Sequence, residues 1–210
     1  MKTLIVTNRK GGTGKTTLAW EMAVELSKKL KTRTMVLDLD PIQGSISKWK
    51  ARSEDNYKDV FVAKALPKEV TEAIEVAKRN GVGVVLVDAM PTLDVAGLGV
   101  MQQMDAVLLP MAPSHIELEG SLTTIYAAQA LRKPLMIVPT SVNGNTREGH
   151  ELRLALDGEA LPVSKSELRD RVSYRRACQQ GRHAGHFDRK AGMEIKNLAS
   201  EVCELLEVQA

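Results

Sequence analysis

Short apolar runs alternate with longer stretches of helical periodicity along most of the chain. Several runs are continuous in Val, Ile and Leu, which is typical of parallel strands that are covered on both faces. Strands are predicted at Thr3–Thr7, Thr34–Leu39, Val60–Ala63, Val82–Asp88, Ala106–Pro110 and Leu135–Pro139. Strands that alternate with helices predict an α/β fold, with a doubly wound, mostly parallel sheet flanked by helices.

Helical periodicity fills the intervals between these strands and dominates the end of the chain. The predicted helices are Lys15–Leu30, Pro67–Lys78, Ser114–Leu131, Thr146–Leu156, Lys165–Gln180 and Ala191–Val208. The sequence contains no internal repeat and no clear domain boundary. We therefore expect a single domain over residues 1–210, with a helical, basic C-terminal region over about 164–208.

Composition sets few limits on function. A chain of 210 residues with 43% hydrophobic and 26% charged residues suits one folded domain. The net charge of +3 is too small to indicate a partner, so any basic surface has to be local. Cys178 and Cys203 stand alone, without the spacing of a metal site, which fits a reducing compartment. Because no signal peptide and no apolar run of about 18 residues is evident, we expect a cytoplasmic protein.

The first chemical signal lies between the first strand and the first helix, in the sequence RKGGTGKTT. A strand, a glycine-rich loop and a helix in this order form the context of a phosphate-binding loop. Glycines let backbone N–H groups converge on phosphate oxygens, and the helix start adds positive partial charge. Lys15 is expected to contact the β- and γ-phosphates, Thr16 to ligate Mg²⁺ and Thr17 to reach the α-phosphate. The other predicted contacts are Gly11, Gly12, Thr13 and Gly14.

A second lysine, Lys10, precedes these glycines, and Arg9 occupies the position of the first glycine of an ordinary P-loop. The sequence KGGTGKT resembles the deviant Walker A motif of the ParA/MinD family of dimeric ATPases, and is most similar to the short, ParF-like members. In that family the first lysine reaches across a dimer interface to the partner's nucleotide. The resemblance therefore implies a homodimer that forms with ATP, in which Lys10 binds nucleotide and acts in catalysis with Lys15.

Two downstream segments supply carboxylates. MVLDLDPIQGS ends a strand with Asp38 and Asp40, and GVGVVLVDAMP ends in Asp88, the pattern of a Walker B strand whose carboxylate meets Mg²⁺ through water. The first segment resembles the family motif Asp-x-Asp-Pro-Gln-Gly, with Ile42 inserted. The resemblance implies that Asp38 holds Mg²⁺ through water and that Asp40 orients the attacking water. The alternative is that the pair caps the next helix.

A third matching segment, MDAVLLPMAPS, ends in Ser114, which is expected to cap the following helix.

Near the C-terminus, KNLASEVCELLEVQA carries three glutamates against the single Lys196. Anionic lipid would repel such a helix, so we expect no membrane partner. His183 and His186 lie in GRHAGHFD, where we expect an exposed turn and no metal site.

Basic residues are concentrated late in the chain. Between Lys165 and Lys190, eight basic residues stand against three acidic ones, a balance of +5 that exceeds the charge of the whole chain. Such a cluster suits DNA phosphates, and binding without a base-reading module is independent of sequence and sensitive to salt. The predicted DNA contacts are Arg169, Arg175 and Arg176. The alternative is a solvated helix with pairs four residues apart, such as Glu167 with Arg171.

Three functions compete. The preferred one is a plasmid or chromosome partition ATPase that binds nonspecific DNA in its ATP state, associates with the nucleoid and is stimulated by a ParB-like partner. The alternative keeps this cycle and positions a protein cargo, such as a microcompartment or chemoreceptor cluster, through a cargo adaptor. A metabolic P-loop enzyme related to dethiobiotin synthetase or to the nitrogenase iron protein is the third. It is disfavoured because neither a small-molecule acid pocket nor suitable cysteine ligands are evident.

Overall fold

A computed structural model describes residues 1–40, 44–91, 94–112, 114–143 and 161–209. The strands are β1 (Lys2–Val6), β2 (Arg33–Asp38), β3 (Val60–Lys64), β4 (Val82–Asp88), β5 (Ala106–Met111) and β6 (Leu135–Pro139). The helices are α1 (Lys15–Leu30), α2 (Ser45–Arg52), α3 (Val70–Arg79), α4 (Val95–Gln103), α5 (His115–Ala130), α6 (Val172–Gln180) and α7 (Arg189–Leu205). Short 3₁₀ turns lie at Glu54–Tyr57, Pro67–Glu69 and Ala184–His186.

All six strands pair in parallel, in the order β3-β2-β4-β1-β5-β6. The prediction of a parallel sheet flanked by helices is therefore confirmed. Because β1 lies inside the sheet, the loop that follows it is surrounded by the carboxyl ends of neighbouring strands. The register sets Asp88 of β4 opposite both Val6 of β1 and Asp38 of β2. The sequence-predicted carboxylates thus end adjacent strands beside the glycine-rich loop.

Each continuous apolar run serves two cores, one on each face of the sheet. On one face, Leu4 of β1 and Leu86 of β4 pack with α1 and with the C-terminal helix α7. On the other face, Ile5 and Val87 pack with α3, α4 and α5. Successive side chains of a strand point to opposite faces, so burial on both faces requires apolar residues at every position. The continuous Val, Ile and Leu pattern follows from this requirement.

The structure corrects several predicted boundaries. Helices α2 and α4 were not predicted, and the predicted helix Thr146–Leu156 lies outside the described residues. The predicted helix Lys165–Gln180 is wrong in its first half, because α6 begins only at Val172.

Backbone pairing explains why the helix starts late. Residues before α6 form isolated parallel bridges, Val163 with Ile137 and Arg169 with Val142. The Glu201 carboxylate of α7 accepts hydrogen bonds from the Lys165 and Ser166 N–H groups at 2.7 and 2.8 Å. These tertiary partners hold the segment extended and beside β6. Within the described residues, no helix is both long enough and apolar enough to cross a membrane.

Candidate functional site

The loop from β1 to α1 forms a turn whose shape depends on glycine. Gly12 and Gly14 have φ values of +78° and +87°, in the left-handed region that glycine adopts without steric cost. Gly14 is the N-cap of α1, and without a side-chain acceptor it leaves the first N–H groups of the helix available to an anion. The Thr13 carbonyl accepts a hydrogen bond from the Thr140 hydroxyl at 2.9 Å, which ties the loop to the end of β6.

Lys15 lies inside this turn. Its amine donates a hydrogen bond to the Lys10 carbonyl at 2.8 Å, and its side chain is largely buried. Burial lowers the pKa of Lys15, while the negative charges of Asp88 and Glu117 act in the opposite direction. The amine therefore stands between a carboxylate of the sheet and one of α5, where a phosphate group would add a stronger anionic partner.

The second lysine has a partner that the sequence analysis did not identify. The Lys10 amine lies 2.5 Å from Glu117 Oε1 at the start of α5, although the Lys10 side chain is 37% exposed. Ser114 caps α5 as predicted, since its hydroxyl accepts from the Glu117 N–H at 3.2 Å. The spacing Ser114-x-x-Glu117 fits a capping box, so a sequence signal for Glu117 existed. That signal indicates a capping residue and says nothing about a lysine partner.

Asp38 and Asp88 lie side by side at the carboxyl edge of the sheet, and both are buried. Asp38 Oδ1 accepts from the Asp40 N–H at 3.0 Å, and Asp88 accepts from the Thr16 hydroxyl. Burial raises the pKa of Asp38. Burial also raises the pKa of Asp88 to about 7, and the nearby Asp38 charge adds to this while the Thr16 hydrogen bond and the charge of Lys15 oppose it.

These residues suit a hard divalent cation. Asp38 Oδ2 and Asp88 Oδ1 are buried and have no hydrogen-bond partner within the described part of the chain. With the Thr16 hydroxyl they form an oxygen-only donor set, which Mg²⁺ prefers. The described residues contain no group of three or more His, Cys, Asp or Glu side chains that could hold a metal ion by themselves. These residues would supply part of the coordination of Mg²⁺, and phosphate oxygens and water would supply the rest.

A cleft of about 210 Å³ opens between the loop and the start of α6. It is lined by Gly12, Gly14, Thr17, Thr140, Ser141, Arg169, Asp170, Arg171, Tyr174 and Arg175. Two of the arginines predicted to bind DNA, Arg169 and Arg175, therefore lie beside the glycine-rich loop. Tyr174 is buried and donates its hydroxyl hydrogen to Glu194 at 2.8 Å, so it packs in the interior.

The three arginines predicted to contact DNA are placed differently from one another. Arg169 lies 3.7 Å from Glu167, and Arg175 lies 3.1 Å from Asp170. The Arg176 guanidinium lies 4.9 Å from the Phe187 ring centre. All three belong to the basic region, but intramolecular acidic partners offset part of its charge.

Arg171 differs from these three because it is mostly buried. It donates two hydrogen bonds to Glu194 Oε1, at 2.9 and 2.6 Å, and one to Asp188 at 3.2 Å. Charge-assisted bonds of this kind join the extended segment to α7. The alternative pair of Glu167 with Arg171, four residues apart on a helix, is not formed, because Arg171 precedes α6 and bonds to α7.

The expectation of an exposed turn at His183 is wrong. His183 is buried against α1, where its Nε2 lies 3.3 Å from Oε2 of Glu21, a residue that is itself fully buried. Both Glu21 oxygens accept from the Ala184 N–H, at 3.0 and 3.1 Å. Burial raises the pKa of Glu21 to about 8 and lowers that of His183 to about 4. The contact is therefore between neutral groups at pH 7, and sequence reasoning missed it because these partners lie 162 positions apart.

Comparison with known proteins agrees with this arrangement. Residues 4–184 match the family model of the CobQ/CobB/MinD/ParA nucleotide binding domain. Over 95% of both chains, the sequence is 29% identical to maintenance of carboxysome distribution protein A of Halothiobacillus neapolitanus. It is 28% identical to the protein of that name from Gloeobacter kilaueensis, over 96% of this chain and 94% of the other.

Among solved structures, the MinD cell division protein of Aquifex aeolicus superimposes with a TM-score of 0.80 over 97% of both chains. Its sequence identity is 14%, so this similarity concerns the fold. The family match covers most of the chain and includes the glycine-rich loop and both strands that carry aspartates. The chain therefore belongs to the CobQ/CobB/MinD/ParA nucleotide-binding family, as a P-loop ATPase of the ParA/MinD type.

Proposed function

We propose that this ATPase is a dimerising switch that positions a protein cargo. The supporting observation is the similarity, along nearly the whole chain, to two proteins named for carboxysome distribution. The motifs are compatible with both partition, which the sequence analysis preferred, and cargo positioning, since both use one nucleotide cycle. The relatives favour the protein cargo, and partition of a plasmid or chromosome stays a prediction from the family resemblance.

The geometry supports separate roles for the two lysines. Lys15 is largely buried within the loop, next to the Lys10 carbonyl, and is suited to the phosphates of its own subunit. Lys10 is more exposed and lies at the mouth of the loop, so its amine can leave Glu117 and reach a partner's triphosphate. A cation that arrives from the partner makes closure depend on ATP and offsets charge as phosphate is transferred.

The carboxylates complete the proposed hydrolytic site. Thr16, Asp38 and Asp88 would hold Mg²⁺, which neutralises phosphate charge when it is bound. Asp40 follows β2 at the same edge of the sheet, and its N–H group is fixed by Asp38. We assign to Asp40 the orientation of the attacking water. Pro41, Ile42 and Gln43, including the insertion noted in the sequence, lie outside the described residues.

DNA would hold the ATP-bound dimer on the nucleoid, and an adaptor on the cargo would trigger hydrolysis and release. The basic region that contains Arg169, Arg175 and Arg176 supports the first step, because DNA phosphates require only a local excess of positive charge. The protein would then act in the cytoplasm, associated with the nucleoid. The adaptor takes the place of a ParB-like partner in this scheme.

Sedimentation of the purified protein tests the switch. Wild type is expected to form a dimer with ATP and to remain monomeric with ADP or without nucleotide. Lys10→Ala is expected to lose the ATP-dependent dimer while it still binds ADP, since Lys15 and the backbone of the loop, which hold the phosphates of the same subunit, are unchanged. Lys58→Ala is the matched control. Lys58 is exposed and lies just before β3, at the edge of the sheet where the strands begin, whereas the glycine-rich loop lies at the edge where they end. Equal masses of wild type under all three conditions would refute the proposal.

A further inference from the structure

Lys10 is held at three points of the structure. Its N–H donates to Asn8 Oδ1 at 3.1 Å, its carbonyl accepts from Lys15, and its amine pairs with Glu117. The aliphatic part of the side chain runs along α5, where a Cβ placed on Gly120 would lie 3.7 Å from Lys10 Cδ. The position of this lysine is thus defined along both its main chain and its side chain.

Asn8 and Ser121 connect the two ends of Lys10. Asn8 is fully buried, and its amide donates to Ser121 Oγ and to the Pro110 carbonyl, both at 2.9 Å. Ser121 in turn donates to the Glu117 carbonyl at 2.7 Å. The contacts form a closed ring that runs from the Lys10 N–H through Asn8, Ser121 and Glu117 back to the Lys10 amine.

The ring also defines the direction of every hydrogen bond in it. The Pro110 carbonyl can only accept and the Lys10 N–H can only donate, so the Asn8 amide has a single orientation. Both connecting side chains, Asn8 and Ser121, are fully buried. Buried hydrogen bonds hold the side chains that they join in place, and loss of one member of a network loosens the rest. The start of α5 and the start of the glycine-rich loop are therefore coupled.

Glu117 makes departure of Lys10 unfavourable. Its side chain is 14% exposed, and its second oxygen, Oε2, is buried without a hydrogen-bond partner in the described part of the chain. If the Lys10 amine leaves, a mostly buried carboxylate loses its direct cationic partner, which is costly. Glu117 thus competes with any phosphate group for the same amine.

We propose that Glu117, positioned by Asn8 and Ser121, is a resting clamp that holds Lys10 away from the dimer interface and sets the ATP concentration at which two subunits close. This inference rests on the proposed function, because it assumes that Lys10 acts on a partner's nucleotide. Glu117, Asn8 and Ser121 are positioning residues, which act through Lys10. The expected effect of a weaker clamp is easier closure, whereas damage to the loop would impair nucleotide binding.

The clamp is tested first without nucleotide, by acylation of lysines in the whole protein and mass spectrometry of the modified sites. Lys10 is expected to react at least about threefold faster in Glu117→Gln, because its amine loses a charge-assisted hydrogen bond. Ser121→Ala is expected to raise the rate by a smaller factor, since it loosens Glu117 without removing its charge. Glu119→Gln is the matched control: it removes the same charge from an exposed position two residues further along α5 and is expected to match wild type.

Closure is then measured by sedimentation across an ATP series. Glu117→Gln is expected to reach half-maximal dimer at an ATP concentration at least about fivefold lower than wild type, as the loss of one charged hydrogen bond would allow. Its affinity for fluorescent ADP is not expected to fall below that of wild type, because loss of a negative charge near Lys15 does not weaken phosphate binding, whereas a general structural defect would lower the affinity.

The outcomes separate the two proposals. Unchanged acylation of Lys10 in Glu117→Gln would overturn the clamp itself. Faster acylation without a lower ATP requirement would overturn its control of closure and leave the dimer switch standing. A wild-type protein that never dimerises would refute the proposed function, while the acylation rates would still report on the contact between Lys10 and Glu117.

Discussion

At the residue scale, the least expected feature is the fully buried carboxyl of Glu21 in the helix that follows the phosphate loop. Burial is the largest influence on its pKa, which rises to about 8. Glu25 acts in the same direction, while the Ala184 N–H and Lys28 act in the opposite direction. The neighbouring His183 lies 3.6 Å from Glu25, and its pKa is lowered to about 4 by burial and by Lys28. The neutral pair links α1 to the turn before α7.

From the raised pKa of Glu21, we predict that the free energy of unfolding falls as the pH rises. Between about pH 4.5 and 8 the folded protein keeps a proton on Glu21 that the unfolded chain has lost, so each unit of pH costs up to about 1.4 kcal/mol. His183 acts with the opposite sign and only below about pH 6.5, where the unfolded chain takes up a proton that the folded one does not. From Glu21 alone, we expect wild type to lose up to about 2 kcal/mol of unfolding free energy between pH 6.5 and 8.

Urea unfolding at pH 6.5 and 8 measures this loss. Glu21→Gln removes the titrating group and keeps an oxygen that can accept from Ala184, so its loss over the same window should be clearly smaller. Glu75→Gln removes an exposed carboxylate of α3 and should lose as much as wild type. If Glu21→Gln and wild type change equally with pH, Glu21 does not titrate in this window.

At the scale of elements, the C-terminal helices are fastened to the sheet domain through close backbone approaches. Gly181 ends α6 with φ +62°, and a Cβ there would lie 2.1 Å from the Trp49 carbonyl and 2.6 Å from the Ser53 N–H. Arg52 adds a hydrogen bond to the Gln179 carbonyl at 3.1 Å. The chain between α6 and α7 can therefore contact the end of α2 only if residue 181 lacks a side chain.

Gly181→Ala is expected to destabilise the protein by more than about 2 kcal/mol, because it combines left-handed backbone strain with a clash against main-chain atoms. Gly99→Ala serves as the comparison. A Cβ at Gly99 meets nothing within 4 Å, and alanine within a helix is favoured over glycine by about 0.5–1 kcal/mol. Thermal or urea unfolding of both variants tests this, and equal stability of the two would contradict the proposed packing constraint.

At the scale of the whole molecule, charge is distributed unevenly. The +5 balance of residues 165–190 exceeds the net charge of +3, so the remainder of the chain is slightly acidic. Arg171 forms ion pairs with Asp188 and Glu194, whereas the side chains of Arg169 and Arg175 are exposed although each has an acidic neighbour. Such a surface can bind DNA phosphates without reading sequence, provided that the acidic partners exchange for phosphate.

Replacement of Arg169, Arg175 and Arg176 by alanine is expected to weaken ATP-dependent binding to nonspecific DNA. The slope of log affinity against log salt should fall by up to about 3, or about 0.9 per lost phosphate contact. Gel shifts over a potassium chloride series measure this slope. Alanine at Lys58, Lys68 and Arg79 removes the same charge from exposed positions elsewhere and should leave the slope unchanged.

Two results would contradict the proposal that these three arginines bind DNA. One is a wild-type affinity that does not change with salt, and the other is an equal effect of both triple variants. Since Arg169 and Arg175 also line the cleft beside the glycine-rich loop, ADP affinity is measured in parallel. A loss of ADP binding would assign these two arginines to the nucleotide instead.

By itself, the sequence determined the strands, the glycine-rich loop, the two strand-ending aspartates and the family. These features depend on residue period and on short motifs, so neighbours in the chain carry the whole signal. Only the tertiary structure decided the pairing of Lys10 with Glu117 and of Glu21 with His183, because the two members of each pair lie more than a hundred positions apart in sequence. It also decided that residues 165–171 are extended, since the N–H groups of Leu168, Arg169 and Asp170, which a helix would have used, donate instead to Pro139, Glu194 and Val142. Local pattern cannot report a contact between two residues that are brought together only when the sheet and its covering helices pack.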